Sequence, residues 1–432
     1  MQKGFTLIEL VVSMGLFIVV MVIASEAFNR IVVQSSKLSK MEESNIEGVI
    51  GLEVMQHDLK QMGFGLPWSW SARNPANTGP LENCGITYKE ATNSEGLKLN
   101  DAPNGVPRAF VAYAKLGNFS SAYIAVKGTA VGRDKASQRW TYMPFRNYSA
   151  NPWESRPVAF ASNNPNAGNM VIVVNSNLNS EAFDHTLIVG PGSVAATSGT
   201  TSDFSVSFNS SGFVQNYSPT DQNQTYMIYG LSDDNTPDPR MPFNRTDFFI
   251  GQNLDSNIVP RFCAEKTGIL YKATVNHGSS TGGAYNYLPL LDCVADMQVV
   301  LGWNSDPLTP AGSAAGTAPS QKESSVSGYS SLSLVAGGDV TTSNVASSDV
   351  KSWMTDPKKL REQLKLIKIY ILAQEGKVDP SYVSPVGSIL VGDTTDGIST
   401  AKVYNLSEKQ KKYRWKLYRI VIRPKNIFSN SY

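Results

Sequence analysis

One stretch near the amino terminus limits what this chain can become. From Val11 to Ala24 the side chains are almost all apolar, and Leu7, Ile8 and Leu10 carry the run back toward the start. About twenty such residues, rising roughly 1.5 Å each, cross one bilayer as a helix. A single carboxylate, Glu9, stands inside the run. A charge at the centre of a spanning helix costs roughly 2.5–3.5 kcal/mol on insertion scales, so an unpaired one demands a partner or a role. The flanking cations do not orient the segment, since Lys3 precedes it while Arg30, Lys37 and Lys40 follow.

The residues around the run are specific. A short polar leader with Lys3 ends in Gly4-Phe5 and continues as Thr6-Leu7-Ile8-Glu9-Leu10. This string resembles the start of a type IV prepilin. The resemblance implies that a membrane peptidase cuts between Gly4 and Phe5. Phe5 then becomes the N-methylated amino terminus, and Glu9 pairs with the amino terminus of a neighbouring subunit during assembly. Two plainer anatomies fit less well. Ala24-Ser25-Glu26-Ala27 imitates a secretory cleavage site, but a carboxylate is foreign to an ordinary signal core. A simple membrane anchor tolerates Glu9 equally poorly.

The helix is expected to continue past the membrane. No proline interrupts Glu26 to Met62, and Leu38, Met41, Val49, Leu52, Met55, Leu59 and Met62 recur at helical spacing opposite Glu42, Glu43, Glu47, Asp58 and Lys60. Gly48 and Gly51 each weaken it by about 1 kcal/mol relative to alanine. Gly63-Phe64-Gly65-Leu66-Pro67 ends it. The division is therefore a leader over 1–4, a stalk over 5–64 with an apolar and then an amphipathic half, and a head over 65–432. A fully helical stalk would be roughly 87 Å long. Many major pilins bear a helix-breaking proline midway along the rod; Glu26 lies near that place here.

Beyond Pro67 the pattern turns to period two. Arg108–Lys115, Ala122–Val126, Asn169–Val174, Thr186–Val189, Phe204–Phe208, Thr225–Tyr229, Gly268–Val275, Ala295–Trp303, Leu366–Leu372 and Tyr413–Ile422 read as strands. A short helix after Asp356-Pro357 leads into the strand bearing Ile367, Ile369 and Ile371. In the last strand Tyr413, Trp415 and Leu417 are out of phase with Ile420 and Ile422, which predicts a bulge near Tyr418-Arg419. The fold class is α+β, a long pilin-type helix followed by a large antiparallel β-sheet or sandwich head. Residues 305–350, rich in Ser, Gly, Ala and Thr, are expected to form a flexible exposed insertion.

Later blocks sharpen the resemblance. Val126-Lys127-Gly128-Thr129, Gln138-Arg139-Trp140-Thr141-Tyr142, Gly268-Ile269-Leu270-Tyr271-Lys272 and Leu291-Asp292-Cys293-Val294-Ala295-Asp296-Met297-Gln298 are similar, in this order, to segments of PilW-type minor pilins. So are the Leu364–Leu372 strand and the segment from Tyr413 to Arg423. The family commonly follows its last strand's arginine directly with asparagine, whereas Pro424 and Lys425 separate Arg423 from Asn426 here. The resemblance implies a minor pilin that primes type IV pilus assembly and sits near the pilus tip. Its partners would be other minor pilins, the major pilin, the prepilin peptidase, the inner-membrane assembly platform and a tip adhesin. It would begin as a single-pass protein of the bacterial inner membrane with a periplasmic head, and end on the extracellular pilus. The J-like pseudopilins of type II secretion share this anatomy. An adhesin exported by the prepilin route is the third reading.

Little else in the sequence points to chemistry. A net charge of +2, with 17% charged residues, leaves no electrostatic footprint for nucleic acid. Three histidines, His57, His185 and His277, are scattered, and no nucleophile elbow, phosphate loop or zinc-protease motif occurs. The chain reads as no enzyme, with no required cofactor. Calcium is the one cation worth considering, at Asp233-Asp234-Asn235 with Asp238, or at Asp393 with Asp396, although turn-forming residues explain both clusters. Three cysteines in an oxidising compartment suggest one disulfide and one odd thiol. Cys263 and Cys293 are the expected pair, across a Gly-rich turn between adjacent strands, with Cys84 the alternative partner. Two surfaces could serve contacts: the cation-rich tail from Lys409 to Lys425, and the aromatic segment Trp140, Tyr142, Phe145, Tyr148 and Trp153. A wet strand face and core packing explain them more simply.

Overall fold

The computed structural model describes residues 6–73, 80–82, 86–115, 119–146, 157–158, 163–177, 184–190, 204–210, 212–219, 221–222, 224–233, 239–254, 258–278, 282–305, 326–332, 340–392 and 401–426. One helix, α1 (Leu7–Gln61), runs without interruption for 55 residues. The strands β1 (Ser69–Arg73), β2 (Pro80–Glu82), β3 (Phe110–Ala114), β4 (Ala122–Gly128), β5 (Trp140–Pro144), β6 (Met170–Asn177), β7 (Asp184–Val189) and β8 (Val206–Ser207) follow. A short helix, α2 (Phe213–Tyr217), precedes β9 (Gln224–Ser232), β10 (Asn244–Gly251), β11 (Gly268–Val275), β12 (Tyr285–Trp303), β13 (Gly328–Ser331) and β14 (Thr342–Ser343). The helices α3 (Ser347–Thr355) and α4 (Pro357–Gln363) lead into β15 (Leu364–Glu375), and β16 (Ser388–Val391), β17 (Lys402–Asn405) and β18 (Arg414–Ile422) complete the head.

Two sheets organise the head. The first joins β2, β1, β7, β6, β9 and β5 in that order, with β8 on β6. The second joins β3, β4, β10, β11 and β12; β13 also pairs with β12, and β15 and β18 extend beyond its other edge. Every described pairing is antiparallel except β1 with β7. The largest core lies between α1, the second sheet and the inner face of the first: Leu52, Met55 and Leu59 meet Leu291, Val294, Ile369 and Ile420, and Ile172, Val174 and Leu187 close it from the other sheet. Alternation then carries Val171 and Val173 to the opposite face of the first sheet, where Phe213 and Tyr217 of α2 cover them. The β16–β17 hairpin covers the outer face of the second sheet, with Ile389, Val391 and Tyr404 beside Leu372 and Trp415.

Three sequence expectations need amendment. There is no bulge in β18, whose register runs continuously from Glu375↔Arg414 to Ile367↔Ile422. Trp415 and Leu417 are out of phase because they point to the outer face, which the hairpin partly covers. The irregularity belongs to β12, where Val294 pairs with Ala373 and Asp296 with Leu372, leaving Ala295 between them. The span 305–350 is not one exposed insertion. It supplies β13 and β14, Val340 and Val350 are buried, and Trp303 Nε1 donates to the buried Ser330 hydroxyl at 2.7 Å. Residues 306–325 and 333–339 lie outside the described residues. Finally, the helical stripe is not covered along its whole length: Leu38 and Val49 are exposed, and continuous burial begins near Gly48.

Candidate assembly site

The stalk begins in a capping box. Thr6 is the N-cap of α1, its Oγ1 accepting from the Glu9 amide at 3.4 Å. The Glu9 carboxylate accepts in return from the Thr6 amide at 3.0 Å and from the Thr6 hydroxyl at 2.9 Å. The pattern Thr-x-x-Glu at the head of an apolar run is the legible signal for this, and reading Glu9 only as a partner for a neighbour passes over it. Glu9 therefore neutralises helix-end donors of its own chain, while its carboxylate stays exposed on the helix surface. Gly4 and Phe5, the expected cleavage and methylation residues, lie outside the described residues.

From Leu7 to Val33 the helix is exposed on every side, and Phe28, Ile31 and Val32 keep it apolar beyond the first break in the run. Glu26 and Arg30 pair one turn apart at 2.6 Å, beside Ser25 and Asn29 and among Ala27, Phe28 and Ile31. A helix apolar all round has no stable place in water, so this half belongs in a bilayer or a helix bundle.

The other half is fixed to the head by four kinds of contact. Gly48 and Gly51 let the helix approach the second sheet: a Cβ on Gly51 would lie 1.9 Å from the Leu290 carbonyl oxygen, and one on Gly48 2.8 Å from the Tyr418 hydroxyl. Leu52, Met55, Leu59 and Met62 then fill the core. Lys272 of β11 holds the buried Asp58 at 2.6 Å; burial raises the Asp58 pKa, and the lysine charge opposes that rise. At the far end Lys37 reaches Asp379 at 2.9 Å. Asn426, past β18, donates to the Lys60 carbonyl at 3.1 Å, so β18 runs alongside α1 in the same direction.

The head's polar interior is structural. Lys127 lies 2.8 Å from Glu90 and 2.6 Å from Asp101, and Arg245 forks onto Asp247 at 2.7 and 2.9 Å while reaching Glu90 at 2.8 Å. Lys127, Glu90, Arg245 and Asp247 are all buried, with charges compensated. Burial works against the Arg245 charge, yet Asp247 and Glu90 hold its pKa well above the ordinary value. No local pattern marks this cluster, because Lys127 lies in β4, Arg245 and Asp247 in β10, and Glu90 and Asp101 in the connection before β3, far apart in the chain.

The other expected sites separate clearly. Cys263 and Cys293 form a disulfide with Cα atoms 5.0 Å apart, and Cys84 lies outside the described residues. His277 is buried between the Arg240 amide and Asn244, and His185 stacks on Trp68 at 4.5 Å. His57 lies 3.6 Å from Asp58. Asp233 accepts from the Ala136 amide, while Asp234, Asn235, Asp238, Asp393 and Asp396 lie outside the described residues. Among the described residues no group of three His, Cys, Asp or Glu side chains could hold a metal ion. Trp140 packs edge-on against Phe64 at the end of the stalk, and Tyr148 and Trp153 lie outside the described residues. In the cationic tail Lys409 pairs with Glu265, Lys411 with Glu408, and Arg414 sits over the Tyr382 ring.

Comparison with protein families matches residues 1–25 to the prokaryotic N-terminal methylation motif. With the apolar spanning-length helix behind it, this match supports a type IV pilin-like, membrane-anchored single-pass protein processed by the prepilin route. Neither a curated protein nor a solved structure is matched by the chain.

Proposed function

We propose that the chain is a minor pilin of the PilW type, which helps to prime type IV pilus assembly and stays at or near the tip. The observation that carries this is the pairing of an all-round apolar helix, capped through Glu9, with a very large head. As one compact unit of about 365 residues the head has a radius of gyration near 21 Å. Repeated at every level of a shaft, such a head would hold neighbouring stalks apart and forfeit their apolar contact. At the tip nothing stacks above it. Other minor pilins and the major pilin are its partners through the stalk, the prepilin peptidase and the inner-membrane platform act on it, and a tip adhesin is a further partner. The head faces the periplasm before assembly. We assign it no enzymatic activity, required cofactor or nucleic acid.

Two measurements test this reading. The mature amino terminus should be Phe5, methylated, by peptide mass; a terminus at Glu26 or later would mean a secretory signal instead. Immunogold on sheared pili should label ends sparsely. Dense label along the shaft would make this a major subunit, and absence from pili with loss of secretion in a deletion strain would favour the type II pseudopilin reading.

A further inference from the structure

We propose that the stalk-side end of the head is a docking surface for anionic phospholipid headgroups of the bilayer that the stalk crosses. The topology places this end. Strand β18 starts at Arg414 beside Asp379 and ends near Lys60, so it leads away from the membrane half of α1. Its antiparallel neighbour β15 therefore runs toward the membrane, and two connections turn there, residues 376–387 and 406–413. Backbone bonds tie them together, from the Asp379 amide to the Lys412 carbonyl and from the Ser384 amide to the Lys411 carbonyl.

Helix geometry sets the height of this end. Glu26 is the first charge after the apolar run, and Lys37 lies eleven residues further on, about 16 Å along the axis. A headgroup layer occupies roughly 5–8 Å of that distance. Helical side chains lean toward the N-terminus, so Lys37 holds Asp379 on its membrane side. That leaves about 8–11 Å from the headgroups to the level of Lys37, and Asp379 in the turn at 376–387 lies on the membrane side of that level.

The composition of this end suits that neighbour. Val378, Val383 and Val386 are 45%, 65% and 49% exposed, an apolar tip with nothing gained from facing water. Around them stand Lys377, Lys409, Lys411, Lys412 and Arg414 against Glu265, Glu375, Asp379 and Glu408; Lys409, Lys411 and Arg414 are already in ion pairs, so the cationic excess rests on Lys377 and Lys412. Each cation near an anionic surface is worth roughly fivefold in affinity. The contact would seat the head upright on the membrane before the subunit is drawn into a filament.

The inference rests on the stalk spanning the bilayer, and the test reads the two separately. The full chain is placed in nanodiscs of phosphatidylcholine alone or mixed with phosphatidylglycerol; co-elution with the disc reports insertion, and amide hydrogen exchange reports docking. Exchange over 376–387 should slow several-fold with phosphatidylglycerol, and high salt or Lys377→Glu with Lys412→Glu should remove that protection. Val383→Asp should weaken it in both lipids without altering exchange in the β12 core. Co-elution with equal exchange in both lipids would overturn docking and leave the anchor intact. Protection that follows the number of chains per disc instead of lipid charge would assign the surface to a second copy, and overturn it too. Failure to co-elute would remove the anchor and the proposal together.

Discussion

The two halves of α1 are one unbroken helix in opposite environments. From Leu7 to Val33 it is predominantly apolar and exposed around its whole circumference; from Gly48 to Met62 it is apolar on one side and buried there. Glycine shows the difference best. Gly15, in the first half, has nothing within 4 Å of a Cβ position, while Gly51 faces a backbone carbonyl that a Cβ would strike. The same residue type is incidental in one half and sets helix–sheet distance in the other. Apolar content alone therefore does not say which part of a helix a fold buries; the width of the apolar stripe and the closeness of approach do.

The largest effect should come from the free half. Glu9→Val removes the carboxylate without touching the head, so the protein should fold, insert and be cleaved normally while pili are lost or sharply reduced. Counting pili by electron microscopy, with mass confirmation of processing, checks it; wild-type numbers would show that Glu9 serves only its own capping box. In the docked half, Lys272→Met leaves Asp58 buried without its counter-charge. We expect a loss of about 3 kcal/mol by chemical denaturation, against no measurable change for substitutions before Val33.

Acid should separate head from stalk next. Burial first, then the charge of Arg240, lowers the His277 pKa from 6.5 to about 4, and the neutral ring accepts from the Arg240 amide through Nδ1. The unfolded chain then takes up a proton that the folded head refuses. Stability should be flat above pH 6.5 and fall by about 3 kcal/mol as pH drops toward 4. His277→Gln should flatten that limb, and an unchanged acid limb would refute the assignment. Gly51→Ala sets about 1 kcal/mol of helix propensity against overpacking of about 1–3 kcal/mol, so it should destabilise, while Gly15→Ala leaves head stability unchanged. Calorimetry of both variants compares the two halves directly. Lys37→Ala should matter least, under about 1 kcal/mol, because its side chain is 42% exposed and the pair is screened.

Regular periodicity made much of the fold legible. The long helix, the strand Gly268–Val275 and the helix-to-strand passage at Pro357–Glu375 follow their patterns closely. The strand β10 is not legible in the sequence: it is buried on both faces, so no alternation marks it, and Arg245 with Asp247 interrupts its apolar run. Strand β12 is legible only from Ala295, since the positive φ of 54° at Cys293 and the Ala295 irregularity break its phase.

What the sequence determined by itself is what depends on neighbours along the chain: the apolar run of spanning length, the leader string, the Thr6-to-Glu9 cap and the helical stripe, all set by local spacing. What only the tertiary structure decided depends on residues far apart. Gly51 became a contact because Leu290 lies across from it, Lys127 and Arg245 are tolerated because Glu90, Asp101 and Asp247 converge on them, and Trp415 faces outward because a hairpin waits there. Such pairings are fixed by the compensation of buried charge and the exclusion of overlapping atoms, and neither has a signature at short range.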